Sequence, residues 1–164
     1  MRRLLGVLGN ARTKFFGTLG KAAAGGIAEF WLYAQRYQCP YTGVVDELVF
    51  TPFDSGLYKY AIYADVADSP GSRLVNVGEI SCTAGRQIRV PITPINVVSG
   101  AYYWLGGIAN TTGATAYAGS TSGGRAAYIS SNEAGYIAGP PVSFGVPTGY
   151  LAYDCNMGYV MGKI

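Results

Sequence analysis

Histidine is absent from these 164 residues, and Asp, Glu, Lys and Arg together make up only 13% of them, about half the ~25% of an ordinary soluble domain. Without histidine, most zinc sites, the Ser–His and Cys–His nucleophile pairs and imidazole general bases are excluded. Cysteine is scarce. Cys39, Cys82 and Cys155 are odd in number and lack CxxC spacing, so they spell neither a disulfide framework nor a metal knuckle. Buried free thiols are favoured over a single bridge, because Cys packs as a small apolar residue. No stretch reaches the ~18–20 uninterrupted apolar residues of a membrane-crossing helix. The start, Met1-Arg2-Arg3-Leu4-Leu5, imitates the basic end of a signal peptide, but the apolar run stops at Gly9-Asn10-Ala11-Arg12. That is short of an apolar region of about 7–15 residues with a cleavage site, so no signal peptide is expected. No EF-hand, P-loop or GxSxG is present. Gly25-Gly26 and Gly123-Gly124 are not followed by a helix that would cradle phosphate. No internal repeat covers the chain, which argues against solenoids and propellers.

In place of charge stand 24 glycines, 14 tyrosines and long stretches of Ala, Ser and Thr, with 49% apolar residues overall. Such a chain can offset its ordering entropy by burial, and its length suits one domain. The net charge of +3 is unevenly spread. Arg2, Arg3, Arg12, Lys14 and Lys21 make residues 1–21 a +5 segment without an acid, and the remainder is −2. A basic arm on a nearly neutral body suits attachment to nucleic acid, a membrane surface or a neighbouring protein. Within the arm, Leu5, Leu8, Arg12, Phe15 and Leu19 recur at spacings of three and four, the pattern of one helix face. Gly6, Gly9, Gly17 and Gly20 weaken that helix by about 1 kcal/mol each relative to Ala. A short amphipathic helix that folds only on a partner surface is therefore expected, with those five residues as docking contacts. Ala22-Ala23-Ala24-Gly25-Gly26 reads as a linker, which divides the chain into an arm, 1–28, and a body, 29–164.

The body has β texture. In Arg86–Ile92, Ile88, Val90 and Ile92 alternate with polar positions, giving one buried and one wet face. Leu57–Asp65 alternates likewise, with Tyr58, Tyr60 and Ile62 on one face and Lys59, Ala61, Tyr63 and Asp65 on the other. Ala101–Ala109 is apolar on both faces and should be a central strand covered on each side. Strands are further expected over 30–38, 44–53, 74–82, 95–98, 115–118, 126–130, 135–138 and 158–163, with turns at Asp54-Ser55-Gly56, Asp68-Ser69-Pro70-Gly71, Thr83-Ala84-Gly85 and Ser99-Gly100. About ten short strands and no convincing helix in the body predict an all-β fold, an antiparallel β-sandwich or jelly roll preceded by the arm.

One span has a recognisable cadence. Tyr58-Lys59-Tyr60-Ala61-Ile62-Tyr63-Ala64-Asp65 and Ser69-Pro70-Gly71-Ser72-Arg73-Leu74-Val75 lead to Thr83-Ala84-Gly85, Val90-Pro91-Ile92-Thr93-Pro94-Ile95 and Ser99-Gly100-Ala101-Tyr102-Tyr103-Trp104-Leu105. The span resembles β-sandwich modules of bacteriophage fibre and virion surface proteins and of large secreted bacterial proteins. Those modules run as an IYSD…SPG…LL strand pair, a TAGW turn, a VPL-TPV strand and a TAGTYYWLA strand. The likeness covers about residues 58–107, and Arg86 stands where the modules place a tryptophan. The arm, 1–28, has no counterpart in those modules. Taken with the single small domain, the basic amphipathic arm and the lack of an export signal, the likeness leads to the expectation of a non-enzymatic virion structural protein, a capsid decoration or fibre subunit, assembled in the host cytoplasm and attached to other virion proteins through the arm. By analogy with viral fibres it also implies a homo-oligomer, a trimer.

No catalytic, cofactor-binding or metal-binding residue is assigned. Asp46 and Glu47 are adjacent in a strand and point to opposite faces, so they cannot flank one glycosidic bond. For Asp65 and Asp68 a turn role, accepting from nearby backbone N–H groups, is favoured over calcium ligation. Tyr58, Tyr60, Tyr102 and Tyr103 are expected in the core. Tyr117, Tyr128, Tyr136, Tyr150 and Tyr153 lie in loop-rich sequence and are candidates for contacts between subunits or for stacking on a host-surface glycan. A carbohydrate- or receptor-binding module is thus the alternative function. No specific nucleic-acid binding is expected.

Overall fold

The computed structural model describes residues 14–17, 29–111, 116–117, 125–151, 155–156 and 159–163. Within them run β1 (Lys14–Gly17), β2 (Leu32–Gln38), β3 (Gly43–Phe50), β4 (Gly56–Val66), β5 (Ser69–Cys82), β6 (Ile88–Val97), β7 (Tyr102–Ala109), β8 (Ala116–Tyr117), β9 (Ala126–Ile129), a helix α1 (Glu133–Ala138), β10 (Gly149–Leu151), β11 (Cys155–Asn156) and β12 (Tyr159–Lys163). They form a six-stranded sheet in the order β10-β9-β2-β7-β4-β5, a four-stranded sheet β1-β12-β3-β6 and the small pair β11-β8. All pairings between strands are antiparallel. The fold is the expected all-β sandwich.

Between the two sheets lies the main core. Tyr33, Tyr58, Tyr60, Ile62, Tyr103 and Leu105 of the six-stranded sheet pack with Val45, Leu48, Phe50, Ile92, Val97 and Val160 of the four-stranded one. Ile88 and Val90, expected to be buried, are half-buried, because β6 is an edge strand. The edge position also explains why β6 runs unbroken through Pro91 and Pro94, since an edge strand can spare ladder donors. In β12, Gly162 is forced by close approach: a Cβ there would stand 1.7 Å from the Val44 carbonyl oxygen. Cys39 and Cys82 are buried free thiols; the side chain of Cys155 lies outside the described residues.

The outward face of the six-stranded sheet is also dry. Leu32, Ala34, Ala61, Tyr63, Trp104, Ile108 and Ala127 form a second cluster closed by Tyr136 and Phe144. Ala61 and Tyr63 are therefore buried, which corrects the wet face expected for 57–65. Strand β7 has the doubly covered central position that its composition demands.

The second cover is the segment 133–144. Its helical part replaces the strand expected at 135–138. Asn132 caps α1, its side-chain oxygen accepting from the Gly135 N–H at 3.1 Å, and Gly135 leaves room for Ser131, whose Oγ would stand 1.7 Å from an added Cβ. Lys59 Nζ donates to the Tyr136 and Ile137 carbonyls at 2.8 and 3.1 Å, satisfying the free end of the helix. Beyond α1, backbone bonds Arg73 N–H to Val142 O (2.8 Å) and Phe144 N–H to Gly71 O (3.1 Å) tie the segment to β5.

Two substitutions test this second cover in opposite directions. Phe144→Ala empties a site whose ring meets Tyr63 edge-on at 5.3 Å and should cost about 3–5 kcal/mol in a denaturant titration. The Tyr63 hydroxyl is buried with no hydrogen-bond partner among the described residues. Tyr63→Phe removes that orphan and should leave stability unchanged or raise it by about 1 kcal/mol or more. A clear loss in Tyr63→Phe would mean that the hydroxyl is satisfied.

Candidate interaction surface

Three places carry residues singled out in the sequence: the arm strand, the dispersed tyrosines and the tip of the β4–β5 hairpin.

In the arm, Lys14–Gly17 is a strand rather than part of a helix. It pairs with β12, placing Phe15 opposite Met161 and Phe16 opposite Val160. Alternation then decides the two rings. Phe16 enters the sandwich core, 5.5 Å from the Tyr103 ring, and Phe15 faces outward, 39% exposed. Leu5, Leu8, Arg12 and Leu19 lie outside the described residues.

The candidate tyrosines do not form one platform. Tyr128 is half-buried and stacks on Trp31, ring centroids 5.2 Å apart. Tyr136 is buried beneath α1 and donates its hydroxyl hydrogen to Glu79 Oε2 at 2.8 Å. Burial, together with that carboxylate neighbour, pushes its ionisation well above the usual tyrosine value. Tyr150 is 41% exposed. The side chain of Tyr117 and all of Tyr153 lie outside the described residues. Tyr102, expected in the core, is exposed instead.

The hairpin tip gathers the densest set of polar and aromatic groups. Val66 pairs with Ser69, so the turn is centred on Ala67-Asp68, two positions earlier than the expected Asp68–Gly71 turn, and Pro70-Gly71 lie within edge strand β5. Both turn residues have positive φ, 49° and 64°, as a tight type I′ connection requires. Register shifts between Tyr63 and Asp65 mark a bulge, which re-aims a hairpin. The tip arches over the outward face and reaches β9 and β10 at the far edge. There, Ser69 Oγ and Tyr150 Oη are 2.6 Å apart, and Asp68 Oδ2 lies 3.8 Å from Arg125 Nη1.

Arg36 holds this arch from below. Its Nε and Nη2 donate to the two Asp65 oxygens at 2.8 and 3.0 Å, Nη2 also pairs with Asp68, and the guanidinium lies 3.8 Å from the centroid of the Tyr102 ring. Trp104 Nε1–H donates to Asp65 Oδ1 at 2.7 Å. A second stack places Arg125 4.2 Å from the centroid of the Tyr150 ring. Burial alone would raise the Asp65 carboxyl, but Arg36, the Trp104 indole and the Asp68 backbone N–H together hold it below its ordinary 3.8. Burial likewise works against the Arg36 charge, and Asp65 and Asp68 more than compensate. Asp65 thus accepts from a nearby backbone N–H, that of Asp68, as expected, and both acids are partners of Arg36. That pairing is invisible in sequence, since Arg36 lies 29 residues from Asp65. No group of three or more Asp, Glu, Cys or His positioned to hold a metal occurs among the described residues, and none of their helices is long and apolar enough to cross a membrane.

The Asp65 shift makes stability pH-dependent in a definite direction. A carboxyl whose folded value is depressed adds stability that is complete above its unfolded value and drains as pH falls through the folded one. The unfolding midpoint should therefore drop on acidification from about pH 5 to about pH 2, and Arg36→Gln should flatten that part of the profile. An unchanged acid slope in Arg36→Gln would show that the pair does not set it.

No protein-family model matches the chain, and no curated protein matches it.

Proposed function

We propose that the chain is a non-enzymatic structural subunit of a bacteriophage-like virion, a capsid decoration or fibre protein that self-associates and attaches through its N-terminal arm. The observation that carries this reading is β1. Four residues of the +5 arm are woven into the edge of the four-stranded sheet, and Phe16 is sealed in the core. The strand pairing thereby fixes where residues 14–17 sit on the body. A basic segment fixed in this way is suited to hold a body to a neighbour of complementary charge.

Two further features support it. The span that resembles virion surface modules, 58–107, runs through β4, β5, β6 and most of β7, the centre of the sandwich. At the hairpin tip Arg36 and Asp65 are committed to each other and the two guanidiniums lie against Tyr102 and Tyr150, an arrangement that builds a rigid surface rather than a reacting centre. Association through repeated weak contacts is then the activity, since repetition on a particle multiplies them. A trimer follows by analogy with viral fibres.

Deleting residues 1–13 keeps β1 and removes Arg2, Arg3 and Arg12. In sedimentation analysis the full chain should form a discrete homo-oligomer. The truncated chain should remain folded, with a thermal midpoint within a few degrees of the parent, and should sediment as a smaller species. A full chain that stays monomeric at about 100 μM, well above typical affinities for stable assemblies, would overturn the reading. So would a truncated chain that assembles as well as the parent.

A further inference from the structure

We propose that the hairpin-tip surface is a binding site for a pyranose sugar, with Tyr102 and Tyr150 as stacking rings and Asp68 and Arg125 as hydrogen-bonding heads. Of these four, only Tyr150 was a candidate for glycan contact in the sequence; Tyr102 was expected in the core and Asp68 in a turn role. The site does not depend on the virion reading, because it belongs to the isolated body.

Three observations carry it. First, the site displays unspent capacity. Tyr102 and Tyr150 are 38% and 41% exposed, and Asp68 and Arg125 are 57% and 42% exposed. The nearest ion-pair distance between Asp68 and Arg125, 3.8 Å, is too long for a hydrogen bond. The Tyr102 hydroxyl, the Arg125 donors and Asp68 Oδ2 therefore make no hydrogen bond among the described residues. Second, the groups are held in place before any ligand arrives. Arg36 packs under Tyr102 and pairs with Asp65 and Asp68, Arg125 packs on Tyr150, and Ser69 fixes the Tyr150 hydroxyl. Preorganised rings and heads lose little freedom on binding. Third, the tip keeps a strained turn. Ala67 occupies a left-handed conformation where Asn-Gly would be relaxed, and strain of this kind collects at functional positions.

The chemistry fits a sugar better than a protein. A pyranose offers a C–H face to the electron-rich face of a tyrosine and, at its rim, hydroxyls that can donate to Asp68 and accept from Arg125. Two rings and a few polar heads fall far short of the roughly 800 Å² per partner of a stable protein interface. An open, shallow surface implies affinity of about millimolar for one sugar, which repeated copies would strengthen.

The test is a backbone-amide NMR titration of the full chain with N-acetylglucosamine, galactose and glucuronic acid, each to about 50 mM, above the expected dissociation constant. At least one should give saturable shifts confined to residues 66–69, Tyr102, Arg125 and Tyr150. Tyr102→Ala and Asp68→Asn should each weaken that binding roughly tenfold. Asp68→Asn keeps a residue that tolerates positive φ, so it remains informative if Tyr102→Ala fails to fold. The proposal is overturned if none of the three sugars shifts these amides or if the shifts survive in the folded variants. It is also overturned if the same amides move on dilution without sugar, which would make the surface a contact between copies.

Discussion

Everything in this molecule follows from a central strand that cannot face water on either side. In β7, Tyr103 and Leu105 point into the sandwich, and Trp104 and Ile108 point the other way. Leaving any one of these large side chains exposed forgoes about 1.5–3 kcal/mol, so the six-stranded sheet needs two covers. The four-stranded sheet supplies one. The other is assembled from a six-residue helix and an extended segment that together would have little stability alone, and it is held by Lys59, Arg73 and the edge of β5.

The second cover ends short of the hairpin tip, and the polar network begins there. Trp104 belongs to both: its ring is part of the outward cluster and its indole N–H reaches Asp65. Packing of the sheet and placement of the charged surface are therefore mechanically joined. Arg36, opposite Trp104 in the strand register, spans from the dry part of the face to its open end. Its two hydrogen bonds to Asp65 fix a guanidinium plane on which Tyr102 can lie. An exposed ion pair contributes little by itself, but this one is largely covered and shared among an indole, two acids and a ring.

Local pattern made much of this legible, and non-local contact decided the rest. The unrelieved apolarity of 101–109 was enough to place β7 at the centre, because no half-solvated strand tolerates it. Alternation located β4 but mistook its second face for a wet one, since Lys59 and Asp65 bracket Ala61 and Tyr63 and nothing in the sequence shows that 133–144 returns to cover them. Helix α1 stands where a strand over 135–138 was expected, and its cap, Asn132, is a residue equally at home in turns. The Ala67-Asp68 turn was hidden because alanine rarely takes a left-handed conformation, whereas Pro70-Gly71 advertised a turn further along the chain. Phe15 fitted a helical spacing, but pairing with β12 makes 14–17 a strand and sends Phe16, not Phe15, into the core. Arg36 drew no attention, because its partners are distant in sequence.

The central claim is that this sandwich works by being held in place through its arm while its hairpin-tip surface stays open. Electron cryomicroscopy of the self-assembled full chain addresses both halves at once. The account expects residues 1–13 packed against a neighbouring copy or supporting surface, Phe15 covered by that contact, and Tyr102 and Tyr150 facing solvent. An assembly in which the arm touches only its own body, with copies joined through Tyr102 and Tyr150, would contradict it.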